Sequence, residues 1–249
     1  MLGLVLAAGS GSRLGYLGGI LPKTMVPVRG RPLLFYALRS LRDMGVTDAR
    51  VALRSRSDLA VEYLRSLSPS TLGLRTVRPV RIDRPTRSPL ETLAHALPAR
   101  WTGDLAVVLG DDLTVARGLE TWRAQFERKE AWVAQGVIHE HDPAAIRRTC
   151  AVRVDDQGWI REIREKPRSP RAGLRGCGLY LWKGDQVYPM LREVRRLGAT
   201  GSLSDLVSVG VRQGRALALP IQGRNINVNT VGDLMDAWSL IPRDRGAPL

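Results

Sequence analysis

The chain has 249 residues, 44% hydrophobic and 25% charged, with a formal net charge of +14. That is globular composition, and the length buries a core without disulfide or metal staples. No apolar run approaches the roughly 18 residues of a membrane span, and the apolar start Met1 to Ala8 lacks the basic flank of a signal peptide, so a cytoplasmic location without membrane partners is expected.

In chain order, Leu2 to Ala7 is a continuous apolar run, the pattern of a strand buried on both faces. A glycine-rich loop follows. Pro32 to Met44 carries Leu33, Leu34, Ala37, Leu38 and Leu41 at helical spacing, with Pro32 suited to the first turn and Gly45 to the stop. Val51 to Leu53 reads as a second strand and Asp58 to Leu67 as a helix ending before Pro69. Ser88-Pro89-Leu90-Glu91 has the form of a capping box opening a helix to about Leu97. Leu105 to Leu109 is another buried strand, followed at once by Gly110-Asp111-Asp112. Gly118 to Lys129 reads as a helix and Ala131 to Ile138 as a strand.

The pattern then changes. Cys150 to Val154 and Trp159 to Arg164 flank Asp155-Asp156-Gln157-Gly158 as a β-hairpin would. Gly176 to Trp182 is a further strand, Gln186 to Arg196 and Ser202 to Gln213 are helices, and Ala216 to Pro220 is a late strand. Thr230 to Asp233 opens a terminal helix through Leu240. Strand–helix alternation in the first half predicts a doubly wound parallel sheet, and the later hairpin makes it mixed. The expected division is one domain over residues 1–240 and a tail over 241–249.

Cys150 and Cys177 are far apart in sequence and outside any zinc-type cluster, so both read as small buried hydrophobes. The positive charge is carried mostly by arginines spread along the chain, and aromatic residues make up only 5%, which argues against nucleic acid as the main partner. His95, His139 and His141 have no partner pattern and read as structural or exposed.

The strongest motif is Leu6-Ala7-Ala8-Gly9-Ser10-Gly11-Ser12-Arg13-Leu14: a buried strand feeding a tight loop whose backbone N–H groups can cradle phosphate oxygens. It is not G-x-G-x-x-G, because Leu14 stands where the last glycine would be, and it lacks the G-K-[ST] ending of a P-loop. Pro22-Lys23 follows about ten residues later. With that spacing, L-A-A-G-x-G-x-R-L then P-K, the chain resembles the sugar-phosphate nucleotidyltransferases from residue 2 to about 240.

The resemblance implies a Rossmann-like, doubly wound, mixed but mostly parallel sheet. It implies that Leu6, Ala8, Gly9, Gly11 and Ser12 hold the nucleotide and that Arg13 and Lys23 face its phosphates. Fixed cations there stabilise a pentavalent phosphorus more than the ground state. It also places Mg²⁺ on Asp111, the aspartate directly after Gly110, and on Asn227, which stands where many members carry aspartate, with Asn229 a near alternative. Glu165-Lys166-Pro167 corresponds to a segment whose glutamate contacts an acceptor hydroxyl and whose lysine contacts its phosphate. Gly178, in Gly176-Cys177-Gly178-Leu179-Tyr180, would let the acceptor approach the backbone. Ser88-Pro89-Leu90-Glu91-Thr92-Leu93 departs from the family's G-T-A segment and leaves the base preference open.

The expected partners are a nucleoside triphosphate and a phosphorylated small-molecule acceptor, most simply a sugar 1-phosphate, with pyrophosphate released. A cyclitol, alcohol or phosphonate acceptor, or a sensor that binds nucleotide-sugars without turnover, are the alternatives. Assembly into a homo-oligomer is left open.

Overall fold

The computed structural model describes residues 1–9, 12–54, 57–84, 86–198 and 201–241. In chain order the elements are β1 (Leu2–Ala7), α1 (Tyr16–Ile20), the short pair β2 (Pro27–Val28) and β3 (Arg31–Pro32), α2 (Leu33–Asp43), β4 (Asp48–Arg54), α3 (Asp58–Ser66), β5 (Thr76–Ile82), α4 (Pro89–Ala96), β6 (Leu105–Leu109) and β7 (Asp112–Arg117). Then come α5 (Trp122–Arg128), β8 (Val133–Glu140), α6 (Pro143–Arg148), β9 (Cys150–Val154), β10 (Ile160–Glu165), β11 (Gly173–Trp182), α7 (Gly184–Arg196), α8 (Leu203–Arg212), β12 (Ala216–Pro220), β13 (Gln222–Asn227) and α9 (Val231–Leu240).

The main sheet runs β10-β9-β11-β6-β1-β4-β5, with β8 on β11 and β12 on β8. β6, β1, β4 and β5 are parallel neighbours, the doubly wound half, and β12 is parallel to β8. β11 runs antiparallel to β6, β8 and β9, which makes the sheet mixed. β7 and β13 form a separate antiparallel ribbon in which Asn227 pairs with Asp112.

Successive side chains of a strand point to opposite faces, and β1 shows what that does here. Val5 and Ala7 face a layer containing Leu34, Leu38 and Leu41 of α2, whereas Leu4 and Leu6 face one containing Leu93 of α4 and Leu206 of α8. Both faces are therefore apolar and dry, and each fully buried leucine or valine contributes about 1.5–3 kcal/mol. Gly3 is required by this packing: a Cβ there would lie 2.7 Å from Val46 and 2.9 Å from Leu41. Gly45 stops α2 at φ +79°, the left-handed conformation that glycine adopts without a Cβ penalty.

The two cysteines lie on opposite faces of the sheet, both buried and free. Burial pushes the Cys150 thiol up to about 11 and raises that of Cys177 as well. The thiolate is the reactive species, so neither is expected to react with a thiol-directed disulfide reagent in native protein at mildly alkaline pH. Two equivalents released in denaturant would confirm it; release from the native protein would contradict it.

Several elements differ from the sequence reading. Asp48–Arg54 and Gly173–Trp182 are longer than the apolar runs that signalled them, and β5, β7, β13 and α6 carry too much polarity to stand out. The box at Ser88 is half formed: Ser88 Oγ accepts from the Glu91 amide at 3.2 Å, but the Glu91 carboxylate takes the Arg87 amide instead of that of Ser88. The box at Thr230 and Asp233 is complete. β5 is an outer strand on which Arg78, Pro79 and Arg81 are exposed. Among the described residues no helix is long and apolar enough to cross a membrane.

Candidate active site

In an open α/β sheet, ligands bind beyond the carboxyl ends of the strands. A cavity of about 330 Å³ lies there, lined by Leu6 of β1, Ala8 and Gly9 just after it, Lys23 and Thr24, Arg54 at the end of β4, Thr86 to Pro89 and Thr92 around the start of α4, and Asp111 after β6. At Gly9 a Cβ would meet nothing within 4 Å, so the backbone there opens on the cavity. Gly11 lies outside the described residues, as does the Ser12 side chain. Arg13 sits in the 3₁₀ turn Ser12–Leu14, exposed, and is not among the lining residues.

Lys23 is only 7% exposed. Burying an ammonium is costly without partners, and it has two: Nζ donates to Asp111 Oδ2 and, at 2.8 Å, to Asn229 Oδ1. Asn229, the alternative metal ligand in the sequence reading, is thus held by the lysine. Asn229 in turn donates to Asn227 Oδ1, and Asn227 Nδ2 donates to Asp112 Oδ1 at 2.9 Å. The Val228 amide bonds the Asp111 carbonyl at 2.9 Å, tying the end of β13 to the end of β6. Asp111, Lys23, Asn229, Asn227 and Asp112 therefore form one polar chain drawn from three segments.

Asp112 is the buried end of that chain. Its carboxylate accepts from the Gly178 amide, from Asn227 and from Asn225 Nδ2 at 3.3 Å. Burial, then the neighbouring Asp111 charge, pushes its carboxyl above the ordinary range, and Arg175, Asn227 and the Gly178 amide pull it back. Gly178 has a reason to be glycine that the sequence did not reveal: a Cβ would lie 2.4 Å from Asp112 Oδ2. Asp112→Ala would take the acceptor from three donors, two of them buried, and we expect a loss of about 3–5 kcal/mol. Thermal unfolding should then occur roughly 6–20 °C below wild type; an unchanged Tm would show that the carboxylate is dispensable.

A second cavity, about 210 Å³, is lined by Thr149, Asn227, Asn229, Arg148 and Arg175 and by the carboxylates Glu140, Asp142, Asp233 and Asp236. Lys166 is anchored to its wall, its amide donating to the Thr149 carbonyl at 2.7 Å. Lys166 adopts φ +44°, the left-handed region that costs a non-glycine residue about 1–2 kcal/mol and that clusters at ligand clamps. Its neighbour Glu165 accepts from Ser204 Oγ at 2.8 Å, which fixes the carboxylate from α8. Lys23 and Asp111 line the first cavity, Asn227 and Asn229 the second, and the Lys23–Asn229 hydrogen bond is where the two meet.

The donor set suits a hard cation. Asp111 offers a carboxylate, and Asn227, with its nitrogen taken by Asp112 and one lone pair of its oxygen by Asn229, offers the other lone pair of that oxygen. Among the described residues no three histidines, cysteines or acids gather as a complete metal cage. One or two oxygen ligands completed by substrate phosphates is how Mg²⁺ is held. Sequence reading missed Thr24, Arg54, Thr86, Arg87 and Thr92 as cavity residues. Thr24 directly follows Pro22-Lys23 and Thr92 lies within the Ser88 to Leu93 segment, whereas for Arg54, Thr86 and Arg87 the only signal was their place just beyond or between strands.

Residues 3–167 match the family model described as the MobA-like NTP transferase domain. The chain is 27% identical over 251 residues to a glucose-1-phosphate thymidylyltransferase of Mycobacterium tuberculosis, covering 97% of this chain and 82% of that one. It is 29% identical over 187 residues to the enzyme of the same name from Streptomyces antibioticus, covering 73% of this chain but only 49% of the relative, so it spans about half that protein's length. A UTP–glucose-1-phosphate uridylyltransferase of Haloferax volcanii is 25% identical, with 95% of each chain covered. The crystal structure of a putative glucose-1-phosphate thymidylyltransferase from Bacillus anthracis superimposes with a TM-score of 0.84 at 19% identity, covering 100% of this chain and 98% of that one, which establishes the same fold.

Proposed function

Because the chain belongs to the family of MobA-like NTP transferase domains, we propose that it transfers a nucleoside monophosphate from a nucleoside triphosphate to a sugar 1-phosphate, forming a nucleotide-sugar and pyrophosphate. The observation that carries this reading is the junction of the two cavities at Lys23 and Asn229. A triphosphate in the larger cavity and a phosphorylated acceptor in the smaller one would meet there. The names of the mycobacterial and haloarchaeal relatives support the same pair of substrates.

A phosphate monoester is mostly ionised at neutral pH, its second pKa being about 6, so the acceptor oxygen attacks the α-phosphorus without a general base. The bond formed is acceptor oxygen to α-phosphorus, and the bond broken joins that phosphorus to the oxygen leaving with pyrophosphate. Lys23 supplies fixed positive charge at the reacting phosphate, and burial strengthens it. Asp111 and Asn227 would hold a divalent cation, Mg²⁺ in our reading, which when bound neutralises phosphate charge and orients the triphosphate. Lys166, exposed beyond its strained backbone, would take the acceptor phosphate, and Glu165, fixed by Ser204, an acceptor hydroxyl. Arg13, exposed in the turn Ser12–Leu14, would reach the phosphates. The backbone of Leu6, Ala8 and Gly9 would hold the nucleotide, with Gly11 and Ser12 continuing that loop.

The test is pyrophosphate release by purified protein with Mg²⁺ across nucleoside triphosphates and a panel of sugar 1-phosphates. Release that requires both substrates supports the proposal. Binding of nucleotide with silence across every sugar 1-phosphate would redirect it to a different phosphorylated acceptor, and no nucleotide binding at all would overturn it.

A further inference from the structure

The strands that end at the larger cavity begin at another. A cavity of about 640 Å³ lies at their amino ends, with Leu2 of β1, Asp48 and Arg50 of β4, Arg78 of β5, Arg75 and Trp101 in its lining. Its volume is that of a small-molecule site. Arg50 stands four residues before Arg54, which lines the larger cavity, and is therefore about 13 Å from it along the strand. The two cavities are separate.

The charges in this second place do not balance. β4 and β5 are parallel neighbours, with Arg50 beside Arg78 in register. Residues paired in this way point to the same face, and the strands lie about 4.8 Å apart. Two guanidinium groups therefore leave the sheet side by side. Charge on an outer strand is ordinary, so Arg78 alone would say little. Arg50 is different. It stands half-buried on an interior strand, between Leu4 of β1 and Arg78, on the face that also carries Ala52 of the apolar layer. Asp48 is the one acid among the described lining residues, and its carboxylate is fully engaged. It accepts twice from Arg75, from Thr76 Oγ1 at 2.8 Å and from Thr47 Oγ1 at 2.9 Å. Four hydrogen bonds fill the roughly four lone-pair sites of a carboxylate. Among the described residues no carboxylate pairs with Arg50 or Arg78.

We propose that Arg50 and Arg78 form a second ligand site, which takes a phosphate group, free or carried by a small metabolite. The site is apart from the transfer reaction and independent of that reading. A dianion between the two arginines would offset their mutual repulsion. The planar guanidinium fork matches phosphate oxygens and bonds them in pairs. Leu2 and Trp101, both part of the apolar layer that contains Leu93 of α4, offer an apolar wall to the remainder of the ligand.

The experiment follows thermal unfolding in phosphate-free buffer, then with inorganic phosphate or phenyl phosphate, against sodium chloride at equal ionic strength. It uses Lys23→Met as the parent, so that the active-site cation does not compete. Phosphate should raise Tm by about 3 °C at ten times its dissociation constant, beyond any effect of chloride. Arg50→Gln/Arg78→Gln should abolish the gain. Arg78→Gln alone should behave as no merely structural arginine would. Without phosphate its Tm should equal or exceed that of the parent, because a like charge has gone, and with phosphate it should fall behind. Arg78 is exposed, so this variant carries the test even where the double one does not fold. A larger gain with phenyl phosphate names an organic phosphate as the ligand, and a gain with inorganic phosphate alone names the free ion. Equal stabilisation by chloride overturns the proposal. So does a gain that survives in Arg50→Gln/Arg78→Gln, which would place the anion elsewhere on a basic surface.

Discussion

Asp111→Ala is expected to lower kcat for pyrophosphate release by about 10²- to 10³-fold, which is about 3–4 kcal/mol of transition-state stabilisation. The carboxylate stands at the end of β6, 26% exposed, where it can face both the solvent-borne substrate and Lys23. Substitution removes the one formal negative charge of the proposed cation site, leaving Asn227 as a neutral ligand. The fold should lose stability as well, since the buried Lys23 charge keeps only the neutral Asn229 as a partner. The expected outcome is therefore a protein that is folded at assay temperature but unfolds at a lower temperature than wild type, with weakened dependence on added Mg²⁺ and very little turnover. Turnover within about fivefold of wild type would remove Asp111 from the mechanism.

Lys23→Met should be comparably severe. Methionine approximates the length of lysine and fits the buried slot, so the packing survives while the charge is lost. The expected fall is about 10²-fold or more in kcat/KM, split between weaker triphosphate binding and slower chemistry. Lys23→Arg should not restore it. A planar guanidinium with a fixed fork cannot occupy a slot 7% exposed, shaped for a point charge, between Asp111 and Asn229. Steady-state kinetics of the two variants, with nucleotide affinity measured separately, checks both parts. An active Lys23→Arg would show that charge alone matters there.

These two residues were legible in the sequence because each lies in a motif with a fixed offset from a buried strand. The parallel strands were legible for a related reason: β1 and β6 are dry on both faces and read as unbroken apolar runs. β5 was not, because Thr-Val-Arg-Pro-Val-Arg-Ile has only one buried residue. The β7–β13 ribbon was missed because Asp112, Thr114, Asn225 and Asn227 build the polar chain and break any hydrophobic period. The sequence reading also valued Gly178 for substrate approach, when the nearest claim on its missing Cβ is the Asp112 carboxylate. At the far end of the larger cavity only the segment Ser88 to Leu93 was legible, through its departure from the family's pattern. Arg54 and Thr86 are brought together by parallel pairing of β4 with β5, and no spacing in the chain encodes that proximity.

β5 has one more effect, on the protein in bulk. An open sheet margin invites a foreign strand to zip on through its free amides and carbonyls. Here Pro79 stands within the strand with no amide to donate, and Arg78 and Arg81 are exposed on either side of it. A second molecule approaching in register would bring its own Arg78 against this one, like charge on like charge, while Arg81 is paired with Asp58. Concentrated solutions are thus protected at this margin from the backbone-to-backbone growth that seeds fibrous deposits.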